Sequence, residues 1–162
     1  MAPDDAVAVR LGPDDAGELL TLHRAAFVSE AILHDDLTLP PLRRTLEEVR
    51  AGLADPGAIT LGLRLASSRL VGTVRLDVAG DEAELGRLAV VPDLQGRGLG
   101  SRLLGLAEAA LPGAVRRIRL FTGERSVANL RLYARHGYVE SHRTPWRDYE
   151  LVHLVKELPA SG

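Results

Sequence analysis

The spacing of hydrophobic and polar positions changes period several times along this chain, and each change marks an element. Residues 6–11 alternate as a strand does; Gly12-Pro13-Asp14-Asp15 then supplies a turn and an acidic first helical turn. Ala16, Leu19, Leu20, Leu22 and Ala26 follow at helical spacing, which predicts a first helix ending near Phe27. Residues 29–41 mix polar side chains with two prolines and read as an irregular connection holding at most one helical turn. A second helix is expected to start at Pro41, where the missing amide costs nothing, and to bury Leu42, Leu46, Val49 and Leu53 before Asp55-Pro56-Gly57 stops it. Residues 59–65 and 70–78 are two strands joined by the polar turn Ser67-Ser68, an antiparallel hairpin, and a third strand over 83–91 ends at Pro92.

Beyond Pro92 the period returns to helical. Residues 98–111 place Leu99, Leu103, Leu106, Ala107 and Ala110 near one face, enter from a glycine-rich turn and stop at Pro112-Gly113. A strand over 117–122, a helix over 126–136 closed by Gly137, and strands over 138–141 and 149–155 flanking a Pro145-Trp146 turn complete the order β-α-α-β-β-β-α-β-α-β-β. This is a mixed α/β (α+β) pattern, two strand-helix units after a meander, in one domain over residues 1–158 with a tail at 159–162.

At 162 residues one domain is expected, and 46% hydrophobic with 26% charged residues is an ordinary globular balance. Twenty Lys plus Arg against 22 Asp plus Glu leave a net charge of −2, so no global basic field draws nucleic acid or an anionic membrane, and neither partner is expected. With no cysteine there is no disulfide, thiolate metal site or thiol nucleophile. The five histidines show no helical metal spacing, and His34-Asp35-Asp36 reads better as a polar substrate loop or a solvated turn than as a ligand set; no metal is expected. MAPDDAVAVR lacks the basic start of a signal peptide and no 18-residue apolar run occurs, which makes a cytoplasmic protein the expectation.

The stretch most informative about chemistry is 88–101, where a strand, a short loop and a helix start adjoin. The first amides of a helix lack intrahelical partners and the dipole is positive there, so phosphate oxygens can bind if no side chain blocks them. Gly96, Gly98 and Gly100 remove that obstruction and permit unusual backbone angles, with Arg97 and Arg102 close by; a turn made tight only for packing is the plainer alternative. There is no Gly-Lys-Ser/Thr, and the glycine spacing is not that of a dinucleotide fold.

The run Gln95-Gly96-Arg97-Gly98-Leu99-Gly100 resembles the Gln/Arg-x-x-Gly-x-Gly/Ala pattern of the GNAT superfamily of N-acetyltransferases. Its context fits as well: it follows a strand ending Val-x-Pro, opens a helix, and is succeeded by a strand and a helix ending in Leu132, Tyr133, Gly137 and Tyr138. The likeness is good over about residues 58–140 and elsewhere amounts to matching elements. It implies a central mixed, mostly antiparallel sheet of about seven strands flanked by about four helices. It also implies acetyl-coenzyme A as cosubstrate, its pyrophosphate held by main-chain amides from Gln95 through Gly96, Arg97, Gly98, Leu99 and Gly100 to Ser101. Leu88, Ala89 and Val90 would lie on a bulged strand that pairs with the pantetheine arm, the Val90 amide facing the thioester oxygen, where such a donor stabilises developing negative charge.

Attack by an amine requires a base, and departure of the thiolate an acid. Glu84 matches the strand glutamate that is the base in some relatives; a solvated carboxylate, with water as base, is the alternative. Strand alternation puts Glu84, Gly86, Leu88 and Val90 on one face unless a bulge intervenes. Tyr133 matches the tyrosine whose hydroxyl protonates the coenzyme sulfur, with a packing tyrosine as its plainer reading. Where many relatives have an asparagine seven residues before that tyrosine, this chain has Ser126, with Asn129 four before; both could face the cofactor, or Ser126 could simply cap its helix. Arg116, Arg117 and Arg119 form a basic run that suits either a solvated edge or the 3′-phosphate. The acceptor, a primary amine of a small molecule or peptide, is expected between the first two helices, residues 27–42 and the hairpin around Trp146, where Glu30, Asp35 and Asp36 would attract a cation. Relatives are commonly homodimers. A non-catalytic acyl-coenzyme A sensor is the competing class.

Overall fold

The computed structural model describes residues 5–160. Seven strands form a single sheet in the order β1-β2-β3-β4-β5-β7-β6. They are β1 Val7–Arg10, β2 Ala58–Arg64, β3 Leu70–Ala79, β4 Glu82–Val90, β5 Arg117–Gly123, β6 Val139–Trp146 and β7 Tyr149–Glu157. All neighbours are antiparallel except β4 and β5, which run parallel. Five α-helices accompany the sheet: α1 Ala16–His34, α2 Pro40–Arg43, α3 Leu46–Ala54, α4 Leu99–Ala110 and α5 Val127–Arg135. The core is built from β2, β3 and β4 side chains such as Leu63, Val74, Leu76 and Leu85 against Leu103, Leu104 and Ala107 of α4.

Three elements depart from the sequence reading. α1 continues a further two turns past Phe27 to His34, because Phe27, Ala31 and His34 prolong its inner stripe at i, i+4 and i+7 while Ile32 and Leu33 point outward. It ends with Asp35 in the left-handed region (φ 46°) and the Asp36 amide donating to the Ala31 carbonyl at 3.0 Å, a Schellman closure made without glycine. The expected single second helix is two. Arg44 is extended, and Thr45 starts α3 as a capping box, its hydroxyl accepting from the Glu48 amide at 3.2 Å while the Glu48 carboxylate receives the Thr45 amide. The final turn lies at Arg147-Asp148 rather than Pro145-Trp146; β6 is the sheet edge, so Pro145 can occupy it without breaking a ladder.

Two irregularities of β4 place the site. Arg75 pairs with Gly86 and Thr73 with Ala89, so Arg87 and Leu88 together oppose a single residue, Val74; Arg87 takes up the extra length at φ 53°. Cross-strand partners share a face, which puts Glu84, Gly86 and Ala89 on the side of Arg75 and turns Leu88 and Val90 to the other. The bulge therefore separates Glu84 from Leu88 and Val90, against the simple alternation. The second irregularity is that β4 and β5 pair only from Glu82↔Arg117 to Glu84↔Arg119. β4 then stays with β3 as far as Val90, and β5 stays with β7 as far as Gly123, so the two strands part beyond Glu84 and leave a gap in the sheet.

Candidate active site

The parting strands open a cleft of about 330 Å³, lined by Phe27 and Glu30 of α1, Glu84 and Leu88 of β4, and Asn129 and Tyr133 of α5. One wall is main chain. The Val91 amide donates to the Val71 carbonyl at 2.9 Å, which makes that pair the hydrogen-bonded one; the N–H and C=O of Val90 must then point away from β3 into the gap. The Val90 carbonyl receives Nε2 of Gln95 at 3.1 Å, and the amide has no acceptor among the described residues.

Past Val90 the chain turns through Pro92–Leu94, a single 3₁₀ turn, into α4. Gly96 (φ 76°) and Gly98 (φ 82°) both lie in the left-handed region, and a Cβ at either would meet nothing within 4 Å. Gly100 has a different role: a Cβ there would lie 3.2 Å from the Leu132 side chain, so this glycine lets α5 pack closely on α4. Among the described residues, no backbone amide from Gln95 to Ser101 has an acceptor in the protein, the first intrahelical bond being Arg102 N–H to Gly98 at 3.1 Å. Arg97 projects into solvent, and Nη1 of Arg102 is buried without a partner. Open backbone, an unblocked approach and surplus positive charge together fit the diphosphate of a nucleotide cofactor.

Tyr133, 5% exposed, packs edge-on to Tyr138 with ring centroids 5.8 Å apart, and its hydroxyl has no hydrogen-bond partner among the described residues. Burial, and secondarily the charge of Glu30, push its pKa well above the ordinary value near 10, so the phenol keeps its proton. Glu84 stands exposed where β4 and β5 separate, and its carboxylate has no hydrogen-bond or ion-pair partner among the described residues. A second hollow of about 280 Å³ shares Glu84 and Phe121 with the cleft and adds His142 and His153, whose rings stack 4.3 Å apart. The His153 pKa is lowered by burial and by His142, with Glu84 opposing.

Several residues singled out from the sequence hold the scaffold. The Ser126 hydroxyl is buried and donates to Glu30 Oε2 instead of capping α5 or facing the cleft; Asn129, which lines the cleft, donates to Glu30 Oε1 at 3.3 Å. Glu30 thus clamps α1 to α5 and is not a free cation site. Asp36 is 3% exposed and accepts from the Tyr149 hydroxyl at 2.7 Å, the Trp146 ring at 3.1 Å, and the amide and hydroxyl of Thr38. Burial alone would raise its pKa, but these donors outweigh it and hold the carboxyl far below the usual range. Asp35 alone of that pair is exposed. Arg117 pairs with Glu157 and Glu82, and Arg119 with Glu82, across neighbouring strands on the exposed surface of the sheet; β5 lies between β4 and β7, so the basic run is a set of solvated ion pairs and not an edge.

His34, read from the sequence as part of a polar loop or solvated turn, is instead buried at the end of α1. Its Nε2 accepts from the Arg125 amide at 3.1 Å, which leaves Nδ1 to donate to the Glu30 carbonyl at 3.0 Å and fixes a neutral tautomer under the Tyr149 ring. A Cβ on Gly123 would fall 2.2 Å from that ring, so glycine is required where β5 passes it. No helix among the described residues is long and apolar enough to cross a membrane, and no group of three His, Asp or Glu side chains there is placed to hold a metal ion.

The sequence matches the acetyltransferase (GNAT) family over residues 24–138, most of the chain and all of the cleft except β7. The protein belongs to the acetyltransferase (GNAT) family. Its fold is that of many solved members. The PaiA N-acetyltransferase of Thermoplasma acidophilum, determined with coenzyme A, is 19% identical with a TM-score of 0.78 over 98% of this chain and 100% of that one. The ribosomal-protein-S18-alanine N-acetyltransferase of Escherichia coli is likewise 19% identical, TM-score 0.78, over 97% and 96%. A GNAT-family acetyltransferase of Streptococcus pneumoniae is 22% identical, TM-score 0.73, over 94% and 99%. No protein of curated function matches the sequence significantly.

Proposed function

We propose that this acetyltransferase uses acetyl-coenzyme A to acetylate a primary amine of a small molecule or peptide by direct transfer, in the cytoplasm. The observation that carries the reading is unpaired main chain at two adjoining places: the Val90 N–H facing the gap and the free amides from Gln95 to Ser101 at its mouth. Those amides, with Arg97 and Arg102, would hold the diphosphate, while Leu88 and Val90 offer strand bonds to the pantetheine arm. Ala89, its side chain buried in the core, would contribute backbone alone. Acetyl-coenzyme A supplies the activated acetyl group. The Val90 amide would stabilise negative charge growing on an acyl oxygen, an effect of about 3 kcal/mol for one such donor.

Glu84, unencumbered by any partner, accepts the proton the amine must lose, directly or through water. Tyr133 retains its proton in the buried wall opposite and presents it to the departing sulfur. With no cysteine in the chain, a thiol-bound acyl-enzyme is excluded. The test incubates the protein with acetyl-coenzyme A and a diverse amine library and reads free thiol together with acetylated mass. Acetylated amines formed in step with thiol establish the reading. Coenzyme binding by calorimetry with no thiol release from any amine would make the chain a sensor instead.

A further inference from the structure

On the acceptor side of the cleft, Arg44, Arg75 and Arg87 converge. The same three line a small adjoining cavity of about 20 Å³ beside His23, Thr60 and Thr73. Arg75 is satisfied: it donates to Asp77 at 2.9 Å and to the Gly52 carbonyl at 2.9 Å, with Asp55 at 3.8 Å. The guanidinium groups of Arg44 and Arg87, both half-buried, have no acceptor and no ion pair among the described residues. Arg87 is also the residue that occupies the bulge at φ 53°, so the backbone irregularity that breaks the alternation of β4 turns this cation into the cleft.

The surroundings register an uncompensated positive field. Burial, then the charges of Arg44 and Arg75, push the Arg87 pKa down to about 10, with Asp77 only partly opposing. His23 has both ring nitrogens buried without partners, and burial followed by the charges of Arg87, Arg44 and Arg75 pushes it down to about 4. Of the carboxylates lining the cleft, Asp77 is on Arg75, Glu30 is held by Ser126 and Asn129, and Glu84 lies three residues from Arg87 toward the start of β4. Half-buried guanidinium groups without a partner keep unused donors facing the cleft, and an anion is what would satisfy them.

Resting on the acetyl-transfer reading, we infer that the acceptor is an amino carboxylic acid, its carboxylate held by Arg87 and Arg44 while its amine lies toward Glu84. A planar carboxylate matches the guanidinium fork, and Arg87 and Glu84 line the same cleft, which lets one small acceptor present an acid to the first and an amine to the second. This reverses the preference for a cationic acceptor that Glu30, Asp35 and Asp36 suggest in the sequence.

The test titrates the coenzyme A-bound protein with a panel of N-acetyl amino acids and their matching carboxamides, by calorimetry, and runs the parent amino acids and amides as acetyl acceptors. The acids should bind about 10- to 100-fold more tightly than their amides. Arg87→Gln and Arg44→Gln should each remove that advantage with coenzyme A affinity unchanged, and Arg87→Lys should restore part of it. Acid binding should also raise the His23 pKa in the NMR titration, as the anion offsets the arginine field; a purely structural arginine would not move it. Should Arg87→Gln fail to fold, Arg44→Gln carries the comparison. Equal binding of acids and amides, binding by no acid in the panel, or acid binding indifferent to both arginines overturns the inference. Acetylation of amides or polyamines in that case leaves the transferase reading standing; tight acid binding without any transfer upholds the anion site and removes the transferase reading.

Discussion

At the scale of single residues the decisive quantity is the environment of each titratable group. Tyr133 keeps its proton because burial, and then Glu30, disfavour the phenolate, so it should contribute no limb to the pH–rate profile below about pH 10. Tyr133→Phe should lower turnover about 100-fold, the ordinary size of a lost proton donor, with coenzyme A affinity within twofold by calorimetry. His23 gives a stability signature of known sign. Its folded pKa of about 4 lies below the unfolded value near 6.5, so the unfolded chain takes up the proton first and stability falls as pH drops through that window. The loss approaches about 3 kcal/mol by pH 4, and urea midpoints of a His23→Leu variant should lack it. Glu84 and Tyr133 were candidates from motif spacing; a bulge near Leu88 was implied by the family likeness, but nothing in Gly-Arg-Leu-Ala-Val says that Arg87 is the residue that takes up its extra length.

At the scale of elements, the same residue type does different work in different turns. Gly96 and Gly98 are needed for their backbone angle, Gly100 for the close approach of Leu132, and Gly123 for the His34 ring. Gly98→Ala should therefore cost only the left-handed strain, about 1–2 kcal/mol in thermal or urea unfolding, since its Cβ points into open space. Gly98→Asp should in addition abolish coenzyme A binding in a titration, by placing a carboxylate against the phosphates. The glycine-rich turn and α4 were readable because strand, breaker and helical stripe are local signals. The ends of α1 and the split between α2 and α3 were not so readable. Ile32 and Leu33 obscured the inner face of α1, and Thr45-x-x-Glu48 is a capping signal sitting inside a run of helical period.

At the scale of the whole molecule, the cleft exists because distant segments are tied across it. Glu30 joins α1 to α5, and Asp36 joins the end of α1 to Trp146 and Tyr149 of the terminal hairpin. Asp36→Asn keeps the shape and removes the charge that Thr38, Trp146 and Tyr149 are arranged to receive; a loss of about 3 kcal/mol in chemical unfolding is expected, together with a weaker acceptor constant as the hairpin loosens. Acidification should act in the same direction. The Asp36 carboxyl is held far below its unfolded value, so its contribution is complete above about pH 4 and is lost only as pH falls below that.

By itself the sequence determined the number and order of the strands, the glycine turn with its helix and the family likeness they carry, and it pointed to Glu84 and Tyr133 as the residues proposed for proton transfer. These depend on period, breakers and motif spacing, which act between residues close in the chain. Tertiary structure decided where β4 and β5 separate, which way Arg87 points, and which acids remain free. Asp36 and Glu30 look available in the sequence and are occupied in the fold, whereas Arg44 and Arg87 look like ordinary surface cations and stand together without partners. The reason is that a side chain's charge acts through what surrounds it. Those neighbours lie on other strands and helices, tens of residues away along the chain.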